Sequence, residues 1–257
     1  MAGETLSLPV TVVETGSAHD DPGRPQPGTA LCLSGGGYRA MVFHLGALWR
    51  LNELGYLPKL DRISSVSGGS ITAGLLGLRW SALAFDARGM SPVFESEVVA
   101  PVRALASTTL DRGAIVGGLF LPGSISDRVI AAYDKHLFGG RTLQDLPEQP
   151  RFVINATSVQ TGALFRFSRP FVADYRVGTI PSPRLRLAVA VAASSAFPPV
   201  LSPCRIELDP AGGRRRQARA RRTSTVSPSS RRPSSPTAAS TTTSGWRRPG
   251  SATERFS

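Results

Sequence analysis

The chain has 257 residues, 41% of them hydrophobic, with 30 basic and 18 acidic residues and only two cysteines. That is enough apolar material for one α/β domain or two small ones, and too little cysteine for a disulfide framework or a thiolate metal site. The net charge of +12 suggests a polyanionic partner, yet residues 214–257 alone hold 11 Arg and one acid, Glu254, which leaves residues 1–213 nearly neutral with 19 basic and 17 acidic residues.

Residues 1–28 carry Gly, Pro, Asp and Ser without apolar periodicity and read as a flexible lead-in. The first strand is "TALCLS", residues 29–34. It runs into "GGGYRA" and a helix on which Val42, Leu45, Leu48, Leu51 and Leu54 recur at helical spacing, closed by Gly55. A short buried strand, "RISSV", and a second apolar helix from about Gly69 follow. Strand, helix, strand, helix argues for parallel strands covered by helices, with the loops at their carboxyl ends available for chemistry.

Residues 91–147 read as mostly helical, with "SISDRVIAAYDKHLF" capped by Ser124 or Ser126. "RFVINATSVQTGALFRFS" is a hairpin turning at Gln160, Thr161 and Gly162, so its "NAT" sequon is expected to be structural. "LRLAVAVAASSAFPPVLSP" is a small-residue helix halted by Pro198 and Pro199. After about Gly212 the chain becomes Arg, Ser, Thr and Pro with almost no aliphatic residues, a composition that cannot bury a core. Three segments result: a lead-in at 1–28, a domain at 29–212 and a disordered tail at 213–257.

"MVFHLGALW" and "ITAGLLGLRW" are too short to span a bilayer, and "MAGETLSLPV" lacks a signal peptide's regions, so a cytoplasmic location is expected. Cys32 and Cys204 have no metal-ligand spacing and are expected to be reduced and structural. Trp49, Trp80 and Phe120 suit a core or a substrate channel.

Two short stretches could carry chemistry. In "SSVSGG" an exposed serine on a sharp strand-to-helix turn needs small neighbours, and Ser67 is followed by Gly68 and Gly69, with Ser65 where G-x-S-x-G has its first glycine. The bland alternative is that Ser67 only caps the next helix. About thirty residues upstream, Gly35, Gly36 and Gly37 could aim backbone N–H groups at an oxyanion; alone they could also be a phosphate loop or a tight turn.

Taken as a pair, the glycine loop and the serine turn resemble the patatin-like phospholipase family. The glycine triplet followed by Arg is matched by Gly35, Gly36, Gly37 and Arg39, with Ala40 in place of the final glycine; the serine motif is matched at Ser67; "AVAASSAFPPV", residues 190–200, is similar to the stretch before the family's acidic motif. The resemblance spans roughly residues 29–208. It implies a three-layer α/β fold with a mainly parallel central sheet, here incomplete at the C-terminus. It also implies a lipid acyl hydrolase with Ser67 as nucleophile, an oxyanion hole at Gly35, Gly36 and Gly37, and support from Arg39, Gly68 and Gly69. No metal or cofactor is implied, and the partners expected are a lipid ester and, transiently, a membrane surface. Arg39 would orient the glycine loop or meet a lipid phosphate.

The resemblance further implies a base in the form of an Asp in a D-G-G or D-G-A turn after the proline-stopped helix, and the chain has none. After Asp174 the only Asp is Asp209, in "ELDPAGG", close behind the helix and followed by proline. Yet if residues 235–247, "SPTAASTTTSGWR", are written as codons and read from every third base, the permitted residues include D-G-G-V-Y-D-N-L-G-L-E. That string resembles the missing motif and its continuation, so residues 213–257 are expected to be out of frame and activity lost.

Two other classes remain. A Ser–His–Asp hydrolase needs a late His, and His136 is the only one after Ser67; His44 follows the glycine loop and His19 sits in the lead-in. A non-catalytic reading takes the Arg-rich tail as an arm for nucleic acid or anionic membrane, although Arg without Lys also suits a shifted frame of GC-rich DNA.

Overall fold

The computed structural model describes residues 7–9, 27–107, 125–174, 176, 178–196, 204–209 and 252–256. In chain order the elements are β1 (Ser7–Pro9), β2 (Ala30–Leu33), α1 (Gly37–Glu53), β3 (Arg62–Val66), α2 (Gly68–Arg79) and α3 (Ala100–Ser107). They are followed by α4 (Ile125–Tyr133), β4 (Arg151–Thr157), β5 (Leu164–Phe167), β6 (Phe171–Asp174), β7 (Gly178–Pro181), α5 (Leu187–Ser195), β8 (Cys204–Asp209) and β9 (Ala252–Phe256).

Six strands form one mixed sheet in the order β2-β3-β4-β5-β6-β7. The first three run parallel, with Leu31 beside Ile63 and Ile63 beside Phe152, and from β4 onward every pairing is antiparallel. The crossover from β2 to β3 is α1, as a parallel pair requires. Beyond β4 short turns suffice: the hairpin expected around Gln160, Thr161 and Gly162 joins β4 to β5, with Gly162 at φ 64.

α2 and α5 form the centre of the molecule. Every residue from Gly68 to Gly77 and from Leu187 to Ser195 is buried, as expected of helices that are apolar or small on all sides. α5 achieves this with Ala188, Ala190, Ala192 and Ala193, whose short side chains let it lie close against α2, α4 and β4. Leu45, Leu48, Ile63, Ile71, Leu75, Phe138, Phe152 and Val191 join these helices and the sheet into one core. Each such side chain contributes about 1.5–3 kcal/mol on burial.

Several details differ from the sequence reading. α1 buries Met41, His44, Leu45, Leu48 and Asn52, while Val42 and Leu54 are exposed; the buried face is shifted because His44 and Asn52 find hydrogen-bond partners inside. Ser126 is buried inside α4 and does not cap it, and Ser124 and Phe120 lie outside the described residues. Cys204 is buried, and burial pushes its thiol up to about 12, whereas Cys32 is exposed because β2 is the sheet's edge. In a second, three-stranded sheet, Ser7–Pro9 (β1) and Ala252–Phe256 (β9) flank β8. Backbone pairing, which composition does not report, is what places these two short strands. Gly55 ends α1 as expected, at φ 66.

Candidate active site

β2 and β3 are parallel neighbours, so the turns that leave their carboxyl ends lie side by side. The turn after β3 holds Ser67 at φ 52 and ψ −120, a conformation that L side chains rarely adopt and that costs on the order of 1–3 kcal/mol. Ser67 occupies the N-cap position of α2, but its side chain makes no cap hydrogen bond. A capping serine sits in the β region and spends its oxygen on the helix; Ser67 does neither. Ser67 as a whole is partly buried.

The glycine turn packs directly against this one. A side chain at Gly35 would meet Ser67 Cβ at 3.2 Å, one at Gly68 would strike the Gly37 carbonyl oxygen at 2.1 Å, and one at Gly69 would come within 2.8 Å of Leu33 and Ser34. Gly36 at φ 135 is the N-cap of α1 and Gly37 at φ 63 its first residue, and no side chain caps that end. The first-turn amides of α1 therefore keep their donors, at the positive end of the helix dipole and next to Ser67. Gly35 and Gly37 are thus brought against Ser67 and Gly68, and Gly69 against Leu33 and Ser34. Arg39 is exposed in the first turn of α1 and makes no hydrogen bond to the glycine loop among the described residues.

Residues that sequence reasoning missed lie beneath the turn. The Ser67 amide donates to Ser194 Oγ at 2.8 Å, and Ser194 Oγ donates to the Asn155 carbonyl at 2.6 Å. Ser70 Oγ lies 3.0 Å from both Ser65 Oγ and Ser194 Oγ. The Asn155 side chain donates to Ser64 Oγ and to the Ser65 carbonyl, which gives the sequon asparagine a structural task. His44 donates from Nε2 to the Ser34 carbonyl at 2.9 Å, holding the residue before the glycines. The Tyr38 hydroxyl is buried without a partner among the described residues, and burial pushes its pKa up.

No hydrogen bond joins Ser67 to a carboxylate among the described residues. Asp174 is buried, but it lies on β6, three strands from β3 and hence about 14 Å away at the usual strand spacing. It is occupied by Thr161 Oγ1 and the Arg176 amide. Asp209 ends β8, in the second sheet. His136 is exposed on the π-turn after α4.

The family model for patatin-like phospholipase matches residues 31–215. The chain belongs to the patatin-like phospholipase family. The match takes in both turns and α5 and stops where the Arg-rich composition begins. Among solved structures, human GIVD cytosolic phospholipase A2 in complex with methyl gamma-linolenyl fluorophosphonate is similar at 20% identity over 66% of this chain and 30% of that one, with a TM-score of 0.44. ExoU of the Pseudomonas aeruginosa type III secretion system, in complex with SpcU, is similar at 19% identity over 68% of this chain and 39% of that one, TM-score 0.35. VipD from Legionella pneumophila is similar at 19% identity over 79% of this chain and 48% of that one, TM-score 0.36. The chain thus spans less than half the length of each of these proteins. No curated protein matches it. Among the described residues no helix is long and apolar enough to cross a membrane.

Proposed function

We propose that the domain at 29–212 is a serine-dependent lipid acyl hydrolase domain in which Ser67 is the nucleophile and the amides of Gly35, Gly36 and Gly37 form the oxyanion hole. The observation that carries this reading is the pairing of an uncapping, strained Ser67 with a glycine turn packed against its Cβ. Ser67 Oγ would attack the ester carbonyl carbon while a base takes its proton. The glycine amides would hold the oxygen of the tetrahedral intermediate, the alcohol would leave with a proton, and water would release the acid from Ser67. Val66, Val159 and Leu164, apolar and exposed at the same end of the sheet, suit an acyl chain and brief contact with a membrane surface.

The base is the missing part. The dyad Asp would belong to the motif that the codons of residues 235–247 permit in a shifted frame, and the end of the family match at residue 215 supports reading 213–257 as out of frame. The chain as given would then hold a nucleophile and an oxyanion hole with little turnover, since removing one member of a catalytic unit costs orders of magnitude in rate.

The test is fluorophosphonate labelling of the 257-residue chain, its Ser67→Ala variant and a version with the tail restored to the alternative frame. Strong labelling of the restored version alone, lost with Ser67→Ala, is the expected pattern. Robust ester turnover by the chain as given would show that a base acts without the missing motif. Labelling indifferent to Ser67→Ala would remove Ser67 from its role.

A further inference from the structure

The Ser67 conformation is expensive and has to be imposed from outside the turn. α2 contributes only ordinary helix bonds, from the Ser70 and Ile71 amides to the Ser67 carbonyl. The amide of Ser67 points the other way and is met by a side chain 127 residues later in the chain, Ser194.

Counting protons fixes the direction of that contact. A hydroxyl has one proton, and a carbonyl can only accept. The Ser194 proton goes to the Asn155 carbonyl at 2.6 Å, so Ser194 Oγ presents lone pairs to the Ser67 amide. Ser65 donates to the Val153 carbonyl at 3.4 Å, so its oxygen too is an acceptor. The single proton of Ser70 then lies between two acceptors, each 3.0 Å away. Ser194, Ser70 and Ser65 are all buried, so no exposed solvent shell competes for these bonds. Ser65, standing where the serine motif usually has glycine, is part of the support.

We propose that Ser194 is the positioning residue of the Ser67 turn, its hydroxyl oxygen fixing the Ser67 amide and so the direction in which Ser67 Oγ is presented. The functional meaning of this role rests on Ser67 being the nucleophile; the contact itself does not. Asn155 anchors the arrangement twice, through its carbonyl to Ser194 and through its side chain to Ser64 and Ser65. The strand β4 and the helix α5 therefore meet the turn at one oxygen atom.

The test is residue-resolved amide hydrogen exchange on the full chain, comparing the native sequence with Ser194→Ala, Ser194→Cys and Ser194→Thr. Cysteine keeps the volume but offers only a weak acceptor, whereas threonine keeps the hydroxyl. The expected result is that Ser194→Ala and Ser194→Cys speed exchange at Ser67 at least roughly fivefold, with Ile63 and Leu75 unchanged, and that Ser194→Thr restores protection. Should the alanine variant fail to fold, the cysteine variant decides. Exchange at Ser67 within about twofold of the native value in the cysteine variant overturns the proposal, as does equal loss of protection at Ile63 and Leu75. The readout needs no turnover, so a frame-restored version that never reacts with a fluorophosphonate would sink the hydrolase reading and leave this result standing.

Discussion

The turn after β2 and the turn after β3 are neighbours built from the same two residue types, serine and glycine, and they use glycine for opposite reasons. Gly68 and Gly69 are ordinary helical residues by conformation, but they have no room: the backbone of the other turn occupies the place of their side chains. Gly37 has nothing within 4 Å of where a side chain would be, and its constraint is φ 63. Gly68 and Gly69 are needed as space, and Gly37 for its backbone conformation. A glycine-rich signature therefore says little until one knows which kind of need it records.

Substitutions separate the two needs. Gly68→Ala should have the largest effect, because the added carbon would lie 2.1 Å from the Gly37 carbonyl oxygen, a backbone atom that has no side-chain freedom to move aside. A loss of about 3 kcal/mol or more, read by thermal denaturation, is expected, together with loss of fluorophosphonate capture at Ser67 in the frame-restored version. Gly69→Ala meets Leu33 and Ser34 at 2.7–2.8 Å and should cost about 1–3 kcal/mol. Gly37→Ala should cost only about 1–2 kcal/mol, the ordinary penalty of a left-handed residue, and Gly37→Asn less. If Gly37→Ala proves as damaging as Gly68→Ala, the distinction between space and backbone conformation fails. The smallest effect has the opposite sign. Tyr38→Phe removes a buried hydroxyl that has no partner among the described residues, and a neutral to slightly stabilising change of up to about 1 kcal/mol is expected.

The same contrast explains what could be read from the sequence. β3 and the hairpin follow from β-branched runs and turn residues close together in the chain, and both turns of the site follow from Ser and Gly at fixed offsets from a strand end. The face of α1 departs from the apolar spacing at Val42 and Leu54 because the residues buried in their stead include His44 and Asn52, polar side chains whose partners, Ser34 and Ser91, are set by the tertiary fold. Ser194, Ser70 and Asn155 were not legible as site residues. In the sequence they are a serine in a run of alanines, a serine in an apolar helix and a sequon. Their contacts to the turn bridge as many as 127 residues, and no local spacing encodes such a partner.

The bond between Ser67 and Ser194 also sets a clock. Chains emerge from the ribosome N-terminus first at about 5–20 residues per second, so the glycine turn, β3 and Ser67 exist for many seconds before α5 is made. Through that interval the strained turn lacks the oxygen that holds its amide, and nothing compels Ser67 to face outward. A nascent chain thus carries Ser67 unaimed until that contact can form. The aim arrives only once α5 has been made.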